Sequence, residues 1–251
     1  MNVTNVNSKV LKIDQDALAG NDQVVSGTKI LKRGSPINSI YGLKAIGIFQ
    51  NADEVSKAPV QFGDYGPGDL KFEDVNGDGQ IDDKDRTIIG REDPRWLYGA
   101  NINVGYHGFD VSTVVSGVSD YQSYGNNEFY EPFMNNSGTG AQWLNRWTPE
   151  KPTNFPRLYY GSGPNFSRTN SFWVLDRSFI RLKNVQIGYN LSDLVTKRLK
   201  IQRARIYING QNLLTGTKFI GFDPERIENT TRGGDGYPNL KIVTAGLNIT
   251  F

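Results

Sequence analysis

The residues best suited to chemistry lie in one acidic run, Asp74-Val75-Asn76-Gly77-Asp78-Gly79-Gln80-Ile81-Asp82-Asp83-Lys84-Asp85. The run follows the D-x-[DN]-x-[DN]-G pattern of a calcium loop. A hard cation needs several oxygens converging at about 2.3–2.6 Å, and such alternation supplies them. Asp74, Asn76 and Asp78 take the first three ligand positions. Gln80 offers its backbone carbonyl, Asp82 stands at the water-mediated position, and Asp85 replaces the usual bidentate Glu. The expected ligand set is therefore Asp74, Asn76, Asp78, Gln80, Asp82 and Asp85, holding a structural Ca²⁺. Gly79 sits where the turn is sharpest, and Ile81 should point inward. The competing reading is a solvated Asp/Gly turn.

Covalent catalysis has little to work with. There is no cysteine, so disulfides, thiolate metal sites and cysteine nucleophiles are excluded. The one histidine, His107, lies beside a turn without an evident acid partner. No G-x-S-x-G, H-E-x-x-H or P-loop pattern occurs. The chain is not expected to be an enzyme. Trp96, Tyr121, Tyr124, Phe129, Tyr130, Trp143, Trp147, Tyr159, Tyr160 and Trp173 fall in loop-like stretches. Aromatic faces beside Asn, Arg and Asp suit sugars or peptides, but loop packing explains most of them equally well. No substrate-binding residue is singled out.

The elements that must carry these loops are strands. In residues 100–107, Ala100, Ile102, Val104 and Tyr106 alternate with Asn101, Asn103 and Gly105. Residues 109–118 continue the alternation after a very short turn at His107-Gly108, which reads as a hairpin. Residues 179–191 alternate with a slip near Lys183-Asn184, the signature of a bulge. Residues 204–212 and 241–251 are further strands, while 3–13 and 37–49 are weaker ones. Residues 191–199 suggest a short helix with Ser192 as N-cap. About sixty residues, 119–178, separate two strands, which is too long for a structureless loop in a compact soluble domain. It is ordinary for the extracellular loops of an outer-membrane barrel.

Composition permits that reading. The net charge is +2, which argues for no nucleic-acid partner. The mean hydropathy is −0.49, and no run approaches the roughly 18 apolar residues of a membrane helix. A transmembrane strand needs only about 10 alternating residues. The first residues lack the basic and apolar regions of a signal peptide, so Met1 is expected to be an internal or artificial start.

The last strand, residues 241–251, alternates strictly and ends on Phe251. Thr244, Gly246, Ile249 and Phe251 resemble the signal by which bacterial barrels are recognised by the barrel assembly machinery. Several segments then resemble one family in order: residues 37–50 (INSIYGLKAIGIFQ), 66–90, 98–110, 146–149 (RWTP), 178–189 (SFIRLKNVQIGY), 205–214 (RIYINGQNLL), 221–225 (GFDPE) and the terminal strand. Together they look like the SusC/RagA class of TonB-dependent outer-membrane transporters of Bacteroidetes. The resemblance implies an all-β chain, residues 1–251 being the C-terminal portion of a transmembrane barrel of about 22 strands with a plugged lumen. It implies long extracellular loops, one carrying the calcium loop at 70–90. It also implies energy from TonB through an absent N-terminal part, a SusD-like surface lipoprotein as partner, outer-membrane lipid around the wall, and glycan or peptide as substrate. The alternative is a secreted soluble β-sandwich that binds carbohydrate with calcium.

Overall fold

The fold is taken from a computed structural model, which describes residues 1–13, 23–125, 129–160, 163–226 and 237–251. In chain order the strands are β1 (Asn2–Asn5), β2 (Gln23–Ser26), β3 (Lys29–Lys32), β4 (Ser39–Gly42), β5 (Ala45–Ile48), β6 (Leu70–Phe72) and β7 (Thr87–Arg91). They continue as β8 (Trp96–Tyr106), β9 (Phe109–Ser119), β10 (Gln122–Tyr124), β11 (Val174–Asp176), β12 (Phe179–Asn190), β13 (Arg203–Thr217) and β14 (Ile242–Thr250). Two short helices, α1 (Ala52–Lys57) and α2 (Asp193–Arg198), complete the set.

The long strands form one antiparallel six-stranded sheet in the order β1-β8-β9-β12-β13-β14. The alternating segments read from sequence are all here, and two run further: β8 begins at Trp96 and β13 continues to Thr217. The hairpin between β8 and β9 turns on His107 and Gly108, both with positive φ, as a two-residue type I′ turn requires. The slip in β12 is a register shift between Leu182 and Asn184, shared by both neighbouring strands. Helix α2 follows Ser192, which stands at the N-cap position without a side-chain capping bond. The weaker candidates are only partly strand. Residues 3–13 contribute β1 alone, and residues 37–49 split into β4 and β5 in two different sheets.

Connections alternate in length. The β8–β9 and β12–β13 links are short and lie at one end of the sheet. The 6–95, 120–178 and 218–241 connections lie at the other end. The first two of these fold into a cap with its own interior. One core gathers Leu43, Ile48, Leu70, Phe72, Ile81 and Trp147. A second gathers Tyr130, Trp143 and Trp173, with Phe166 stacked on Trp173 at 4.4 Å.

Backbone and side-chain bonds weld the two excursions. The Leu43 amide donates to the Thr169 carbonyl at 2.8 Å, and the Ser171 amide to the Leu43 carbonyl at 2.9 Å. Gly42 permits this approach, since a Cβ there would lie 2.2 Å from the Thr169 oxygen. Fully buried Asp69 is the central joint. It accepts Arg157 Nε at 3.0 Å and Nη2 at 2.7 Å, Asn165 Nδ2 at 3.0 Å, and the Tyr159 hydroxyl at 2.9 Å. Replacing Asp69 with Ala leaves Arg157 and Asn165 facing an apolar gap. The expected loss is about 2–4 kcal/mol, at or below the range for breaking a buried pair because Arg157 is partly solvated. Limited proteolysis should then cut within 120–178 well before the sheet; an unchanged cleavage pattern would contradict the joint.

Candidate functional site

The six-stranded sheet has two chemically different faces. On one, cross-strand rows read Val104–Val111–Ile187–Ile208–Ala245 and Tyr106–Phe109–Tyr189–Ile206–Leu247. On the other they read Asn103–Ser112–Gln186–Asn209–Thr244. The apolar face is uncovered: Val104 is 59% exposed, Ile187 52%, Ile208 58% and Val243 69%. Neither hydrophobic core among the described residues lies beneath it. In water such a contiguous patch across five strands would be an aggregation surface. In lipid it is the ordinary outer face of a barrel wall.

The dimensions agree. Trp96 and Tyr106 bracket β8 on the apolar side, ten residues apart. At about 3.3 Å per residue and a tilt of about 35–45°, that strand spans roughly 25 Å, the height of a barrel's apolar band. Tyr106, Phe109, Tyr189 and Phe251 cluster at the short-turn end, where an interfacial aromatic girdle belongs.

The polar face holds cross-strand ties that sequence reading missed. Arg205 on β13 reaches across β12 to pair with Asp110 on β9, its Nε 2.9 Å from Oδ1. It passes over Gly188, where a Cβ would sit 2.3 Å from the guanidinium. Tyr207 likewise lies across Gly246 on β14. The residues were visible in the sequence. Their pairing depends on a register that sequence alone does not give.

The acidic run folds into a wound loop closed by carboxylate-to-amide bonds. Asp74 accepts the Gly77 amide at 2.7 Å and the Gly79 amide at 2.8 Å. Asn76 accepts from the Asp78 amide, and Asp78 from the Gln80 amide. Asp85 is fully buried and accepts the Val75 amide at 2.9 Å and the Asp82 amide at 2.8 Å. Gly77 and Gly79 supply the positive φ that the winding needs. Ile81 points into the first core, as expected, and its amide bonds the Val60 carbonyl. The Lys84 ammonium stands 3.6 Å from Asp78 and 3.7 Å from Asp82. The Asn76 side-chain amide, the Gln80 amide and Lys84 together hold the Asp78 carboxyl below its ordinary value. The all-oxygen donor set, the winding and a cation already drawn to two of its carboxylates suit a hard metal ion. Among the described residues, however, no three acidic or histidine side chains converge on one metal-sized point.

Comparison with known proteins settles the kind of wall this is. No family model matches the chain. It is 33% identical over 240 residues to TonB-dependent receptor P3 of Formosa agariphila, covering 89% of this chain and 23% of that protein. It is 25% identical over 235 residues to TonB-dependent receptor SusC of Bacteroides thetaiotaomicron, covering 92% of this chain and 21% of that protein. The solved RagAB peptide transporter superposes with a TM-score of 0.70 at 26% identity, covering 92% of this chain and 25% of that one. The chain resembles the SusC/RagA class of TonB-dependent receptors.

The chain spans about a quarter of the length of the relatives it matches. It is an outer-membrane chain, similar to TonB-dependent receptors and to a peptide transporter. The soluble sandwich falls away, because among the described residues no second sheet lies against the exposed apolar face. Most of the aromatic residues noted in sequence serve packing: Tyr130, Trp143, Trp147 and Trp173 are buried, and Tyr124 and Phe129 pack against the second core. Trp96 and Tyr160 are exposed, and the Tyr160 ring lies 5.5 Å from that of Phe133.

The GFDPE segment has a mechanical role. Asp223 lies 2.7 Å from Arg181 on the polar face of β12, and Glu225 lies 2.6 Å from the same guanidinium. Arg177 donates to the Pro224 carbonyl at 3.2 Å. Burial raises the Asp223 carboxyl, but Arg181 and two backbone amides outweigh it and carry it below the ordinary range. This anchor therefore holds above the ordinary carboxylate pKa and loosens only as pH falls through and below it.

The two faces predict opposite tolerance to charge. Ile208→Arg should weaken insertion into lipid vesicles by about 2–4 kcal/mol, whereas Asn103→Arg, at an exposed position of the polar face, should cost under about 1 kcal/mol. The measurement is the folded fraction of the full-length receptor against denaturant; equal losses for both would contradict the assignment of faces.

Proposed function

We propose that residues 1–251 are the C-terminal barrel wall and outer loops of a TonB-dependent nutrient importer of about 22 strands. The observation that carries this is the one-sided wall. Its apolar face suits lipid, its polar face suits an aqueous lumen, and a folded cap stands over one end. In this reading the short turns face the periplasm and the cap faces outward. The importer takes up glycans or peptides, with a SusD-like surface lipoprotein as partner and TonB as its energy source. SusC and the RagAB peptide transporter, which the chain resembles, support that choice. The wall contributes lumen shape and docking surface; no covalent step falls to it.

Thr244, Gly246, Ile249 and Phe251 on and beside β14 are proposed as the assembly signal. The pattern is supported by the continuous pairing of β14 with β13, with Gly246 accommodating Tyr207. Phe251→Ala in the full-length protein should lower the amount of heat-modifiable barrel in outer-membrane fractions several-fold, and nutrient uptake in proportion. Full assembly and uptake with Phe251→Ala would set the signal aside. Normal uptake in cells from which the whole receptor has been deleted would set the importer aside.

Ca²⁺ is proposed as the structural ion of the loop formed by Asp74, Asn76, Asp78, Gln80, Asp82 and Asp85. Once bound it supplies a positive charge that draws these oxygens inward and releases Lys84. Calorimetry on the full-length protein should show Ca²⁺ uptake that Asp74→Ala removes. Identical titrations for the two proteins would end the calcium reading.

A further inference from the structure

The cap holds a cleft of about 530 Å³ between its two excursions, walled by Leu43, Phe62, Asp83, Arg86, Arg168 and Thr169. Two guanidinium groups face it, and each is held by an aromatic ring. Arg86 lies over Tyr41 at 4.6 Å and donates Nη2 to the Tyr41 carbonyl at 3.3 Å. Arg168 lies over Phe62 at 5.0 Å. Stacking fixes the plane of each fork and leaves its edge free to donate. The single acid in the lining, Asp83, serves both: Arg168 Nη1 bonds its Oδ1, and Arg86 Nη1 stands 4.0 Å from the same oxygen. The Asp83 side chain is 70% exposed and Arg86 only 22%. Two cations backed by aromatic rings thus share one solvated anion at the mouth of a partly apolar hollow. A bidentate fork prefers a planar carboxylate, and an exposed ion pair of this kind resists displacement by little.

We propose that this cleft binds the carboxylate of a small nutrient, with Arg86 and Arg168 as its clamp and Asp83 as the internal group it displaces. Phe62, half-buried beside the first core, gives the rest of the ligand an apolar wall. The inference rests on the importer reading and deepens it by naming the charge of the solute. An acidic oligosaccharide and an acidic peptide offer the same carboxylate, so the experiment carries one arm for each.

The test is calorimetry on the purified full-length receptor in detergent, with trigalacturonate and triglutamate as probes and maltotriose and trialanine as neutral controls. At least one acidic probe should bind in preference to its neutral counterpart, and the preferred probe names the source. Arg86→Gln with Arg168→Gln should weaken binding at least tenfold. Asp83→Asn should strengthen it several-fold, an outcome that misfolding cannot produce. Failure of both acidic probes to bind overturns the proposal, as does affinity unchanged in the double variant or lowered by Asp83→Asn. Uptake of the organism's nutrient by cells is scored separately, so a working importer with an unresponsive cleft is distinguishable from failure of the importer reading.

Discussion

A strand in hydrocarbon has no water to satisfy its backbone, so every amide must find a partner on the neighbouring strand. That requirement makes register the controlling quantity of this chain. With β8, β9, β12, β13 and β14 paired as they are, apolar residues gather on one face and polar residues dominate the other, Val114 and Ile242 being exceptions there. A slip of one residue would invert the faces and place Asn and Arg against lipid. The polar face carries its own guards against a slip. Arg205 reaches Asp110 only while Gly188 lies beneath it, and Tyr207 lies flat only over Gly246. The bulge at Leu182–Asn184 absorbs one residue in β12 and keeps the faces consistent on either side of it.

The cap answers a different constraint. Its excursions leave the sheet at the same end and contain far more chain than a turn needs. They stay folded because they bury aromatic and aliphatic side chains of their own, around Leu43 and Trp147 and around Trp143 and Trp173. Two joints are buried ion pairs, Asp69 with Arg157 between the excursions and Asp223 with Arg181 between loop and wall. The cap is therefore tied to the wall through β12 as well as through its own chain ends. The wound acidic loop sits within it, anchored by Ile81 and by buried Asp85.

The wall was legible because period-two alternation is a local property: Ala100 to Tyr106 and Val243 to Phe251 announce their faces without reference to anything distant. The His107-Gly108 turn and the slip at Lys183-Asn184 were legible for the same reason. The cap was not. Its strands are three to five residues long, too short for alternation to announce, and some pair at a distance, as Leu70–Phe72 does with Ala45–Ile48. In the acidic loop the ligand pattern and the inward Ile81 could be read from spacing, whereas the Lys84 contact could not. The Arg86–Asp83–Arg168 group escaped notice altogether, since Arg168 lies more than eighty residues from Asp83 and only the weld at Leu43 and Thr169 brings them together.

The central claim is that one face of this sheet meets lipid and the other does not. Residues 1–251 contain no cysteine, so once any cysteine elsewhere in the receptor is replaced, single cysteines can be placed along β13. Spin labels at positions 205 to 209 in the full-length receptor, reconstituted in bilayers, report collision with oxygen, which concentrates in lipid, and with a water-soluble nickel chelate. The account predicts high oxygen accessibility at 206 and 208 and low values at 205, 207 and 209, a strict period of two. A flat profile across the five positions, or nickel accessibility at 206 and 208, would contradict it.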